Sequence, residues 1–245
     1  MAENADVPTP TVARMLRKLG FSGDGQFQAK LRDELCEMIS GPVAKRNVWK
    51  ERLSEGHFLN HHSRQALEDQ LRTMDQVDQD DFDALCRLLV DRDRGTFVAG
   101  GRNAGTLAWY LFLHFQMMRP HVRLMPSAAS WLHELLDLSA GDVLEVLDGR
   151  RHENAALAMW QMCHERGAEA VPVTDQWRSP VHRVARLTFS GRIAVPSAWD
   201  TVASLLLLTE CVIASVQETL WASVRTRTDD LEAAFEMTGR LRKFE

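Results

Sequence analysis

From residue 95 onward, short apolar runs alternate with longer stretches of helical periodicity. The runs lie at 96–99, 121–125, 142–147, 169–174 and 185–189. Between them, 103–118, 128–138 and 152–166 place apolar residues three and four apart, and a shorter helical piece lies near 179–184. Strands separated by helices predict an α/β fold: a parallel five-stranded sheet with helices on both faces. Ahead of residue 95 the pattern is helical throughout. A short piece ends near Ala5, and a new helix opens with Thr9 as N-cap and Pro10 at its first position. Val12, Met15, Leu16 and Leu19 form its apolar stripe and Gly20 stops it. Further helices follow, with a break at Gly41-Pro42 and patterns over 63–77 and 80–90.

The tail reads differently. Residues 197–223 are apolar almost all round, from Trp199 and Val202 through Leu205–Leu208 to Val212, Ile213, Val216 and Leu220. Such a helix is buried deeply or covered by a second subunit. A last amphipathic helix is expected over 227–243. Asp200, Glu210 and Glu218 argue against a membrane span.

Candidate chemistry begins where the first apolar run meets Gly100-Gly101 and a helix starts at once. Strand, glycine turn and helix bring backbone N–H groups to the carboxyl end of a parallel strand, where anions and phosphorylated ligands bind. The spacing is neither GxGxxG nor GxxxxGK[ST], so no dinucleotide or P-loop signature is present. Glu145 stands out, because a charge in a central strand needs a partner or a wet cleft.

Composition narrows the field. The 245 residues are 45% hydrophobic and 26% charged, as in ordinary globular proteins, and the net charge of -5 argues against wholesale coating of nucleic acid. One local basic helix remains compatible with that charge. The cysteines Cys36, Cys86, Cys163 and Cys211 are far apart with no CxxC, which predicts reduced thiols and a cytoplasmic protein. The first residues are polar and include Pro8 and Pro10, unlike a secretory leader. His61 and His62 are adjacent, and neighbours on a helix point about 100° apart, so no metal site is expected. No cofactor is expected either.

Thr11-Val12-Ala13-Arg14-Met15-Leu16-Arg17-Lys18-Leu19-Gly20-Phe21, followed by Phe27 and the helix from Gln28 to Leu35, resembles the end of the helix-turn-helix domain of MurR/RpiR-type transcriptional regulators. The resemblance implies that this is the recognition helix, with Thr9, Thr11, Arg14, Arg17 and Lys18 facing DNA. Two features depart from the family. Pro8 occupies a position usually held by serine, and Met1 falls inside the family's second helix, so the head is truncated.

The second half resembles the sugar isomerase (SIS) domain that serves those regulators as effector domain. The features that carry the likeness are Gly100-Gly101, Asp142 leading a strand, Gly167-Ala168, the segment Val173-Thr174-Asp175-Gln176-Trp177-Arg178-Ser179-Pro180, and Val195-Pro196-Ser197-Ala198-Trp199-Asp200. The implied organisation is a partial helix-turn-helix at 1–40, a helical connector at 41–94, an SIS domain at 95–223 and a C-terminal helix at 224–245. The resemblance further implies a homodimer or homotetramer, DNA as partner, and a phosphosugar-like effector.

Typical SIS domains hold the sugar phosphate with serine and threonine hydroxyls after the first and third strands. Here the first loop reads Gly101-Arg102-Asn103-Ala104 and the other Asp148-Gly149-Arg150-Arg151-His152-Glu153, so that cradle is missing. With the family's strand order 2-1-3-4-5, Arg102, Arg150 and Arg151 converge on the strand ends beside Asp175. Guanidinium groups suit phosphate or carboxylate. The arginines either hold a small anion or pair with Asp148, Glu153 or Asp175. The reading that follows is a ligand-sensing, DNA-binding regulator without catalysis. One alternative is an SIS-fold binding or scaffold protein that does not bind DNA. The other is a phosphosugar isomerase, for which Glu145, His152 and Glu210 are the available bases.

Overall fold

The apolar runs pair side by side as one parallel sheet. In chain order its strands are β1 (Thr96–Gly100), β2 (Val122–Met125), β3 (Val143–Leu147), β4 (Glu169–Asp175) and β5 (Phe189–Gly191), arranged β2-β1-β3-β4-β5. The computed structural model describes residues 8–39, 41–52, 57–125, 131–149 and 154–239. Its helices are α1 (Thr9–Lys18), α2 (Asp24–Ile39), α3 (Pro42–Arg52), α4 (Phe58–Gln76), α5 (Gln79–Val90), α6 (Gly105–Met118), α7 (Trp131–Leu136), α8 (Asn154–Glu165), α9 (Ala203–Thr219) and α10 (Trp221–Thr238). No single helix among the described residues is long and apolar enough to cross a membrane.

The sequence of β3, Val-Leu-Glu-Val-Leu, is buried along its whole length, which requires cover on both faces of the sheet. Alternation along the strands divides the core in two. Val98, Val143, Leu147, Val171 and Val173 meet Leu85 and Leu89 of α5, Leu111 and Phe115 of α6, and Leu205, Val212 and Val216 of α9. Phe97, Ala99, Leu144, Val146 and Ala170 meet Leu135 of α7 and Cys163 of α8. Local signals set the element ends. Asp78 caps α5 by accepting the N–H groups of Asp80 and Asp81 at 2.9 and 3.1 Å, a bond pattern of about 1 kcal/mol. The Asp142 carboxylate accepts the N–H of Gly95 at 2.7 Å and of Ser139 at 2.8 Å, fixing the starts of β1 and β3 together. Arg119, 1% exposed, donates to the carbonyls of Leu89 and Arg94 and so ties α5 to the approach to β1.

Helix α4 begins at Phe58 rather than 63 and α10 at Trp221 rather than 227, and three further boundaries that differ from the expectations have a local cause. The cap of α1 is Pro8, not Thr9: Pro8 is extended, and its carbonyl accepts the N–H of Thr11 at 2.8 Å. The last strand begins at Phe189 rather than 185, because the chain is still turning there, with Ala185 N–H bonded to Val181 O at 3.0 Å. The tail helix begins at Ala203 rather than 197. Thr201 N–H is bonded to Ile193 O at 2.9 Å, which holds 193–201 as a closed loop. That helix ends at Leu220, where the chain bends by 93° into α10. Its apolar residues are buried inside the chain, between the sheet and α4, α5 and α6.

Glu145 is 3% exposed in the centre of β3, in register with Val98 and Val171, and its Oε1 has no hydrogen-bond partner among the described residues. Burial alone pushes its carboxyl up to about 7 from an ordinary 4.5. The folded chain therefore holds a proton that the unfolded chain releases above pH 4.5. Its burden is absent below that pH, grows between there and about 7, and stays constant above, reaching about 3 kcal/mol. Replacing Glu145→Met is expected to raise stability at pH 8 and to flatten the decline between pH 5 and 8. Urea unfolding across that range checks it, and parallel profiles for the two proteins would contradict it.

Candidate functional site

The carboxyl ends of β1, β3 and β4 lie side by side. Beyond the strands, Gly101 N–H donates to Leu147 O and Asp148 N–H to Val173 O, both at 3.0 Å, so the three loops leave the sheet zipped together. Gly100 is required there by space: a Cβ would sit 2.7 Å from both Ala104 O and Gly105 Cα. A 3-10 turn, Arg102–Ala104, leads into α6, whose first amide returns to Gly101 O at 2.9 Å. No side chain caps α6.

The fold brings Gly101, Asn103, Ala104, Asp148 and Asp175 to this one edge. Asn103 is exposed at the turn and Ala104 is buried. Asp148 and Asp175 are 4% and 0% exposed, and both are engaged in interactions. Asp175 accepts Trp177 N–H at 2.9 Å, and its carbonyl accepts Arg178 N–H at 3.0 Å, with Arg178 in the left-handed region at φ 61°. Of Arg102 only the backbone is described. Arg150, Arg151 and His152 lie outside the described residues, so the convergence of the three arginines is carried forward as a proposal.

Other polar groups at this edge were not legible as site residues. Ser179 N–H donates to Thr174 Oγ1 at 3.3 Å, while Ser179 Oγ is buried without a hydrogen-bond partner among the described residues. Gln176 Oε1 accepts the N–H of Ile193 at 3.0 Å, bringing the loop after β5 to the end of β4. In the sequence Thr174 and Ser179 belong to a turn signature; only packing reveals an unsatisfied hydroxyl. At this edge stand two buried, engaged carboxylates, a buried hydroxyl and the exposed turn at Asn103.

Two of the three isomerase candidates, Glu145 and Glu210, do not stand at this edge, and His152 lies outside the described residues. Glu145 sits mid-strand in the core, and Glu210 of α9 accepts the Tyr110 hydroxyl of α6, an interaction that raises the tyrosine's pKa. Among the described residues no group of three His, Cys, Asp or Glu side chains is arranged to hold a metal.

The second candidate surface is α1. Thr11, Arg14, Arg17 and Lys18 are all exposed, whereas Leu16 is buried and Val12 and Ala13 are half-buried. The side chain of Thr9 is not described. Met15 and Leu19, expected in the covered stripe, are 46% and 60% exposed. Phe21 and Phe27 meet edge to face at 5.2 Å and close the corner between α1 and α2.

The sheet order, the glycine turn and the zipped strand ends can now be set against known proteins. The profile of the SIS domain family matches residues 88–215, more than half of the chain. The chain belongs to the SIS domain family. No curated protein matches it by sequence. Among solved structures, this SIS protein is similar to the sugar isomerase domain of an RpiR transcription factor from Sphaerobacter thermophilus, with TM-score 0.67 and 15% identity, covering 73% of this chain and 99% of that one. It is also similar to the Vibrio vulnificus NanR protein complexed with ManNAc-6P, with TM-score 0.63 and 15% identity, covering 97% and 84%. A phosphoheptose isomerase from Francisella tularensis matches with TM-score 0.54 and 10% identity, covering 65% and 96%. Regulators and enzymes thus share this SIS fold.

Substituting Gly100→Ala is expected to destabilise the SIS protein by about 1–3 kcal/mol, because the new methyl meets backbone that cannot yield. Urea unfolding reads this directly; an unchanged midpoint would show that the turn is looser than its contacts imply.

Proposed function

We propose that this SIS-domain protein is a DNA-binding transcriptional regulator without catalytic activity. Its SIS edge binds a small anionic, carbohydrate-derived ligand, and it acts as a homodimer. The observation that carries the proposal is the order of parts along one chain. A helix with an exposed basic face, Arg14, Arg17 and Lys18, precedes a helical connector and an SIS body. The NanR likeness extends over 97% of this chain and so takes in those helices as well as the sheet. A recognition helix reads the major groove from such a face, and lysine and arginine supply the salt-dependent part of the affinity.

The ligand class follows from the edge and its neighbours. NanR is complexed with ManNAc-6P, and another structural neighbour, from E. coli CFT073, with A5P. In this chain the hydroxyls of the sugar meet Asp148, Asp175 and the Ser179 hydroxyl, and the anionic group meets Arg102, Arg150 and Arg151. Homodimerisation sets two basic helices at a fixed spacing, and ligand binding shifts the population of spacings.

Fluorescence anisotropy with DNA fragments from upstream of the gene tests the regulator reading. Preference for one fragment over random DNA is expected, with affinity falling as salt rises. Changing Arg14, Arg17 and Lys18 to Ala together is expected to weaken binding and to lower the salt slope by about one per lost phosphate contact. Equal affinity for every fragment would contradict the reading. A chain that binds no DNA yet is stabilised by ManNAc-6P or A5P would instead be an SIS-fold binding module.

A further inference from the structure

The segment between β5 and α9, residues 192–202, has neither helix nor strand, yet it is tied at both ends of its span to different parts of the protein. Two successive amides mark the division. Arg192 N–H donates to Thr73 Oγ1 of α4 at 3.0 Å, and Ile193 N–H donates to Gln176 Oε1 beyond β4 at 3.0 Å. The side chains repeat the split. Arg192 Nε reaches Asp69 Oδ1 of α4 at 3.0 Å, with Asp69 itself 2% exposed. Ile193 is 3% exposed, and its Cδ1 lies 4.0 Å from where a Cβ on Gly149 would stand, in the loop after β3.

The far end of the segment returns to the same point. Thr201 N–H donates to Ile193 O at 2.9 Å, and its neighbour Asp200 takes the buried ammonium of Lys45 from α3. Gln70 of α4 donates to Ala203 O at 3.3 Å. At the foot of the segment a Cβ on Gly191 would lie 3.3 Å from the Thr73 methyl and 2.7 Å from Leu205, so α4, β5 and α9 meet there without slack. Ile193 is thus bonded to the carboxyl edge of the sheet, while Arg192, just before this closed loop, is bonded to α4 and Asp200, within it, to α3.

We infer that residues 192–202 are a coupling strap, through which a ligand at the SIS edge repositions α3 and α4, the helices that link the body to the basic helix. The strap deepens the ligand-sensing reading above and rests on it. A ligand that competes for the Gln176 amide, or that moves the Gly149 loop, acts on Ile193. The peptide shared with Arg192 cannot shift without disturbing the Asp69 and Thr73 bonds. An ion pair with one buried member, Asp69 in one case and Lys45 in the other, is suited to this role because that member is left uncompensated when its partner moves away, so the element has discrete arrangements. Linkage requires the effect to run both ways: cutting the α4 attachment changes ligand affinity at a site those residues do not touch.

The test uses the full chain, with ManNAc-6P, A5P and inorganic phosphate as probes. A thermal shift identifies the probe that binds, and hydrogen exchange then follows amides 58–76 with and without it. Exchange in α4 is expected to change about fivefold or more on binding. In Asp69→Asn the change should vanish and the probe Kd should move by a similar factor. Arg192→Lys, which keeps the charge but not the fork geometry, covers the event that Asp69→Asn does not fold. A probe that binds while α4 exchange stays constant overturns the strap and leaves the ligand reading intact. An α4 response that survives in both variants overturns it as well. If none of the probes binds, the ligand reading falls and the strap falls with it.

Discussion

The burial of α9 is the constraint on which the rest of this SIS protein depends. Leu205, Leu208, Val212, Ile213 and Val216 are at most 4% exposed, packed among the sheet, α5 and α6. Each such side chain contributes about 1.5–3 kcal/mol when taken out of water. A soluble helix with apolar residues on several faces has few places to go, and here the connector helices α4 and α5 help cover it. Helices α4 and α5 are therefore part of the body's core rather than an appended arm. This is why the segment running from β5 to α9 can touch both the strand ends and α4.

Much of this was legible in the sequence, because the strands announce themselves. A run such as Val-Leu-Glu-Val-Leu bounded by Asp142 and Asp148 admits few other structures, and alternation with helices implies a parallel sheet, whereas the order of its strands was implied by the resemblance to the SIS family. Irregular backbone was not legible. The stretch from Pro196 to Val202 carries apolar residues that continue into the helix that follows it, and the Thr201–Ile193 and Lys45–Asp200 bonds help hold it out of that helix. Local pattern cannot register partners 155 residues apart. The same limit applies to Glu145: its place in a strand could be read, but its isolation inside the core depends on which helices cover it.

The site was legible by loop and not by group. Gly101, Asn103, Ala104, Asp148 and Asp175 do meet at one edge because strand order alone decides which loops are neighbours. The buried hydroxyl of Ser179 and the Gln176–Ile193 bond arise from how the turn after β4 folds on itself, a matter of geometry that residue type does not encode. The fold by itself does not decide function, since it is shared by regulators and isomerases alike.

If α9 joins connector and sheet into one packed body, the two must open together. Native-state hydrogen exchange measured at increasing denaturant, without any ligand, reads this directly by comparing amides of α4 and α5 with those of β1 and β3. The account predicts that both sets merge into one global unfolding transition. Exchange of α4 and α5 through a separate opening of much lower free energy, with β1 and β3 still protected, would contradict it.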